Sequence, residues 1–246
     1  MFFAAGATAL LVLPPFNPAT AADMALKASP PAPAITSWSG CYLGGNGGGL
    51  WVHDDWTNET PGAFLGAPLS SANLNGGFGG VQGGCNYQFA GNWLIGFGGD
   101  YDWADATGSS PSLISPNTDQ THISALASVT GRIGYSWGNF LGYVKGGGAW
   151  QRDNYSVFTP TGAPAATAAL SPTGWTIGIG GEYAFTSWLS GFVEYDHYDF
   201  GTVDNTFLRP TGAVFGFSNI RESDEVIKAG LNLRWSLGSN LPFVQH

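Results

Sequence analysis

From Trp38 onward, apolar and polar residues alternate with a period of two, the repeat of a strand whose two faces meet different surroundings. Eight such stretches can be read: Trp38–Val52, Leu74–Phe89, Trp93–Asp105, Thr121–Trp137, Phe140–Tyr155, Thr173–Phe185, Trp188–Phe200 and Glu222–Trp235. Short breaks at Ala90-Gly91-Asn92, Gly138-Asn139 and Thr186-Ser187 predict tight turns, because Gly and Asn tolerate the positive φ that hairpins demand. Long polar breaks at His53–Asn73, Ala106–Gln120, Ser156–Pro172 and Gly201–Arg221 predict loops. Alternating short and long connections between antiparallel neighbours are the layout of an up-and-down barrel.

Parity then says what each face meets. Trp175, Ile177, Ile179, Tyr183 and Phe185 alternate with Thr176, Gly178, Gly180, Glu182 and Ala184, so one face is oily and the other small or polar. A soluble sandwich would turn a richly charged face to water, whereas these opposite faces are Gly, Ser and Thr with isolated charges. That pattern predicts lipid outside and a tightly filled lumen inside. Tryptophan supplies a second test. Trp38, Trp93, Trp137, Trp188 and Trp235 fall at the ends beside the short turns and chain termini, and Trp51, Trp103, Trp150 and Trp175 at the opposite ends, with Trp56 just beyond. Two aromatic girdles are thereby predicted. Ten residues of tilted strand rise about 23 Å, close to the apolar height of such a barrel. The fold class expected is all-β: an eight-stranded antiparallel up-and-down transmembrane β-barrel spanning residues 38–235.

Composition sharpens this reading. Charged residues make up 10% and aromatic residues 14% of the chain, where a soluble domain carries about a quarter charged residues. The net charge of −9 with 8 Lys and Arg argues against a nucleic-acid partner. Ahead of the barrel, an apolar run over Met1–Leu13 is followed by Ala19-Thr20-Ala21, which reads as a signal peptide over residues 1–21 cleaved after Ala21, although no basic residue precedes Lys27. Residues 22–37 are Pro- and Ala-rich and suit an extended periplasmic leader, and residues 236–246 form a C-terminal extension.

Inward parity gathers Asp100, Arg132, Lys145, Glu182, Glu194, Lys228 and Arg234. Charges in a narrow lumen must pair, since an isolated buried ion costs several kcal/mol. They form either a selectivity ring in a small pore or a salt-bridge plug, and the plug is favoured because eight strands leave an interior just wide enough for side chains. Cys41 and Cys85 share outward parity at similar heights on the first hairpin, so a cross-strand disulfide is one outcome. Two unbonded lipid-facing residues are the other, and a register slip of two residues suffices to part them. No metal-binding or cofactor-binding pattern is found. The best acid/base candidate, Asp196 with His197, fails because adjacent strand residues point to opposite faces. The Gly-rich stretches Gly44–Gly49 and Gly76–Gly84 lack the helix and the Lys-Ser/Thr of a phosphate loop. The expectation is that the chain is not an enzyme.

Several segments taken together resemble the small porin-like outer-membrane barrel proteins of alphaproteobacteria, of the OmpA-like eight-stranded type. They are Ala21-Ala22-Asp23 with its Pro-rich leader, Trp38 through Gly48, Gly80 through Phe89, Glu194-Tyr195, and Lys228 through Trp235. In that family an aromatic usually stands where Cys41 does, and the chain usually ends on an aromatic near Trp235. The resemblance implies residence in the cell outer membrane of a Gram-negative envelope, with outer-membrane lipid, lipopolysaccharide and the barrel-assembly machinery as partners. It also implies one of two roles: a structural protein contributing to envelope integrity and surface contacts, or, alternatively, a narrow porin passing small solutes.

Overall fold

The computed structural model describes residues 37–236. The expected signal peptide, nearly all of the expected leader and nearly all of the expected C-terminal extension lie outside these residues. The described part is built of nine antiparallel strands: β1 (Gly40–Asn58), β2 (Pro68–Phe89), β3 (Trp93–Pro111), β4 (Thr118–Trp137), β5 (Phe140–Phe158), β6 (Pro164–Leu170), β7 (Thr173–Ala184), β8 (Leu189–Leu208) and β9 (Val214–Trp235). Neighbours in the chain pair with each other except β6 and β7, which both pair with β5 and β8, and β1 pairs with β9 from Cys41↔Trp235 to Asn58↔Ser218, which closes the sheet on itself. Closure leaves no sheet edge in the span between the aromatic tiers, the condition for a sheet to stand in lipid.

The barrel has eight staves, because β6 and β7 together make the sixth. Pro172 interrupts them: it has no N–H to donate, but its carbonyl still accepts from the Gln151 amide of β5 at 3.1 Å. On the other side the stave is less complete. β7 pairs with β8 from Trp175↔Asp199 down to Ala184↔Ser190, whereas β6 meets β8 at Thr167↔Leu208 alone.

The short turns form where Gly and Ala accept left-handed backbone: Ala90 and Gly91 at φ 44° and 80°, and Gly138 at φ 64°. The predicted long loops are corrected. They shrink to residues 59–67, 112–117, 159–163 and 209–213, because the strands run on well past the positions expected from alternation. The reason is an inversion of phase. Between the tryptophan tiers the outward residues are apolar and many inward ones polar. Beyond the upper tier, the outward residues of β1 become His53, Asp55 and Thr57, while inward Trp56 is buried. On β5 the outward residues become Arg152, Asn154 and Ser156, with Tyr155 and Val157 buried inside. The strands continue through register shifts such as those at Trp103/Ala106 and Ile123/Ala125, although their outward residues have changed from apolar to polar.

Outside, the apolar band includes Leu43, Phe97, Val129, Ile179 and Leu231, all exposed. Trp93, Trp137, Trp188 and Trp235 stand exposed toward the turn end and Trp51, Trp103, Trp150 and Trp175 toward the loop end.

Candidate functional site

The lumen is the candidate site, and the inward face of β9 samples it from end to end: Arg234, Asn232, Lys228, Val226, Asp224, Glu222 and Ile220. Strand parity fixes this series, which passes through the successive layers of the lumen, Asp224 and Glu222 sharing one of them.

At the turn end the lumen is closed by Trp38, Leu94, Leu141, Tyr143 and Ala184. Trp38 is only 2% exposed, its indole N–H donates to the Gly138 carbonyl at 3.0 Å, and the Arg234 guanidinium lies 4.0 Å above its ring. Its assignment to the aromatic girdle is therefore corrected. Trp38 shares parity with inward Tyr42, and its amphipathic ring plugs the lumen instead of meeting lipid. Above it, Arg132 sits between the Tyr42 and Tyr143 rings at 4.6 and 5.0 Å, pairs with Glu182 at 3.7 Å, and donates to Asn86 at 2.8 Å. Glu182 also accepts from Ser190 and Asn232.

The middle layer holds two lysines among four carboxylates. Lys228, fully buried, lies 3.5 Å from Asp100 and Asp102, 3.4 Å from Asp196 and 3.8 Å from Glu194. Lys145 pairs with Glu194, with Asp196 at 3.1 Å and with Asp100 at 3.9 Å. Tyr143 donates to Glu194 at 2.8 Å and Ser128 to Asp100 at 2.7 Å. Glycine makes room for this density: a Cβ at Gly80 or Gly178 would collide with the carboxylates of Asp102 and Asp196. The predicted inward charges all point inward, but they divide among three layers. Asp102 and Asp196 were not among them, although the parity of Asp100 and Glu194 extends to both.

Above an apolar layer containing Leu50, Leu74, Leu126, Phe200 and Val226 lies a layer that the sequence reading missed. Asp54, Asp153, Glu222 and Asp224 are all buried there, and none belongs to the ion pairs formed among the described residues. Thr121 donates to Asp54 at 2.9 Å, and Gln151 and Tyr155 donate to Glu222. Both carboxylate oxygens of Asp224 are enclosed without a hydrogen-bond partner among the described residues. Asp54 and Asp153 lie beyond Trp51 and Trp150, outside the apolar band, and Glu222 pairs with Asp54. Burial raises all three carboxyls above the usual carboxylate range, and their mutual repulsion adds to it for Asp153 and Glu222. Over them, Trp56, Tyr155, Val157, Ala166, Phe207 and Ile220 form an apolar cap.

On the outer wall, Asp196 and His197 part as adjacent strand residues must. Asp196 faces the lysines, whereas His197 lies against Glu225 at 2.9 Å and the Trp175 ring. Cys41 and Cys85 are direct cross-strand partners, 3.9 Å apart at Cα, and are joined as a disulfide.

The sequence profile of the outer membrane protein beta-barrel domain matches residues 19–235. An uncharacterized protein of Coxiella burnetii is 28% identical, covering 85% of this chain and 88% of its own. The 31 kDa outer-membrane immunogenic protein of Brucella melitensis is 29% identical, covering 77% of this chain and 86% of its own. Among solved structures, the outer membrane protein OprG of Pseudomonas aeruginosa superposes with a TM-score of 0.50 at 12% identity, over 80% of this chain and 97% of its own.

Proposed function

The chain belongs to the outer-membrane protein β-barrel family and resides in the outer membrane, and from that premise we propose that it is a structural barrel. Its role is to contribute to envelope integrity and surface contacts, with a lumen that does not pass solutes and no enzymatic activity. The observation that carries this reading is the closed lumen: Leu94, Leu141, Asp102, Asp196 and Lys228 are 0% exposed. A water-filled passage would wet these side chains.

The contacts fall to the two outer surfaces. The apolar band and its tryptophans suit lipid, and the polar outward residues above them suit lipopolysaccharide headgroups. At the loop end, Phe64, Leu65 and Leu113 stand more than half exposed, an apolar set that suits contact with other surfaces. The name of the Brucella relative, an outer-membrane immunogen, fits loops that face outward. Outward parity along every stave also gives the barrel-assembly machinery a uniform lipid-facing surface to insert.

Planar-bilayer conductance of the refolded chain tests the closed lumen. The expected trace is silent. Steady openings whose size changes with Lys145→Ala or Glu194→Ala would replace this reading with that of a narrow porin.

A further inference from the structure

At the loop end, between the apolar cap and loops 59–67 and 112–117, lies a cavity of about 260 Å³. Its walls come from six separate segments, including Trp56, Leu69, Val157, Phe207 and Phe215. The segments are tied to each other. Phe217 and Thr60 exchange hydrogen bonds between β9 and the first loop, and the Leu113 amide donates to the Leu69 carbonyl at 2.6 Å. The space is therefore bounded by segments that hydrogen bonds hold together. It is smaller than the roughly 300 Å³ at which sites for drug-sized ligands begin.

One wall carries a carboxylate. Asp119 lines the cavity and is 6% exposed; the neighbouring Ser70 hydroxyl partly steadies its carboxylate, but among the described residues its enclosed Oδ2 lies within full hydrogen-bond reach of none. Ser218 Oγ, on another wall, is likewise unpartnered. A buried carboxylate oxygen without a donor is costly, by about 1–3 kcal/mol or more for a charged group. A ligand that supplies the donor recovers that energy. Aromatic and aliphatic walls around a single acidic acceptor select an apolar body bearing one cationic donor.

We propose that this cavity binds small primary amines with an aromatic or branched aliphatic body, the ammonium donating to Asp119 and the body packing against Trp56, Val157, Phe207 and Phe215. The site is reached from the loop end and is independent of whether the lumen conducts.

The test uses the full chain refolded in lipid nanodiscs, with phenethylamine as the probe. Ethylbenzene serves as the neutral analogue and 3-phenylpropionate as the anionic one. Amide resonances of Asn117 and Gly216, which border the cavity, should shift saturably with phenethylamine, and about tenfold more weakly with either analogue. Asp119→Asn should reduce amine affinity about tenfold and leave ethylbenzene unchanged. Ser218→Leu, which fills the space without altering charge, should weaken both. Equal affinity for amine and propionate in the unmodified protein would overturn the proposal, and that comparison stands even if a variant fails to fold. Shifts confined to lipid-facing residues such as Phe97 or Ile179 would overturn it too, by showing partition into the bilayer only.

Discussion

The lysine layer and the acid layer above it are solutions to the same problem by different means. Both keep four carboxylates out of water inside one narrow cylinder. Around Lys145 and Lys228 the acids are met by ammonium groups at 3.1–3.9 Å, so charge is balanced by charge. Around Asp54, Asp153, Glu222 and Asp224 no ion pair forms among the described residues, and burial instead favours the carboxyl form that holds its proton. A shared proton lets one acid donate to the next and removes the repulsion between them. The comparison teaches that burial of an acid does not by itself tell the sign of its contribution to stability. What matters is whether its neighbours bring positive charge or more acid.

The largest effect should come from taking a cation out of the lower layer. Lys228→Met leaves Asp100, Asp102, Asp196 and Glu194 with one lysine, and breaking a buried pair of this kind costs about 3–5 kcal/mol. Urea unfolding of the refolded barrel in lipid vesicles, read by gel mobility, should show that loss. A loss below about 1 kcal/mol would show that the two layers are not different in kind.

Next in size is the response of the loop end to pH. Folded-state pKa values raised above the unfolded ones mean that the folded state holds protons which the unfolded state has already released above about pH 4. The stability so contributed is complete below that pH and is lost as pH rises through the raised values, among them Asp119, which burial lifts to about 6. Hydrogen-exchange protection of residues 53–58 and 214–222, corrected for intrinsic rate, should therefore fall between pH 5 and pH 8. Protection that rises over this interval would reverse the assignment.

A smaller and opposite effect is expected from Asp224→Asn. Its carboxylate has no donor among the described residues, and a neutral amide can donate to the neighbouring acids. The substitution should raise stability at pH 8 by about 1 kcal/mol and change it little at pH 5. The reference is Asp204→Ala, at an exposed position of β8, where a change within about 0.5 kcal/mol is expected in either condition. If Glu194→Ala in the lysine layer is no worse than Asp204→Ala, the inward network contributes nothing to stability.

The membrane-height part of the fold was legible because two solvents write alternate letters. Ile177 and Ile179 against Gly178 and Gly180 give both strand and side. Trp93 and Trp103 give the height, and Gly138 gives the turn. The lower charge layer was legible by the same parity, apart from Asp102 and Asp196. The acid layer was not: above Trp51 the alternation inverts and His53-Asp54-Asp55 reads as a polar loop, while Asp153, Glu222 and Asp224, at the ends of expected strands, have no cation of matching parity beside them to mark them as inward charges. Counting inward parity on from Leu50 and Val52 to Asp54 and Trp56 would have reached it. Trp38 was misassigned for a related reason: its place at a strand end suggested the girdle, while its even spacing from Tyr42 put it inside.

A hooped cask has no free stave from which to work it apart, and a sheet closed by β1 and β9 shares that property along most of its height. The single bridge Thr167↔Leu208 between β6 and β8 is the exception. It provides a slit beginning at the rim and ending where Trp175↔Asp199 takes up the ladder again. Opening of the cylinder should start at this slit, with the backbone amides of Ala165–Ala169 that face β8 exchanging before any others in the wall. Fraying would then halt at the rank of Trp175, so that the rim can breathe while the part set in lipid stays shut.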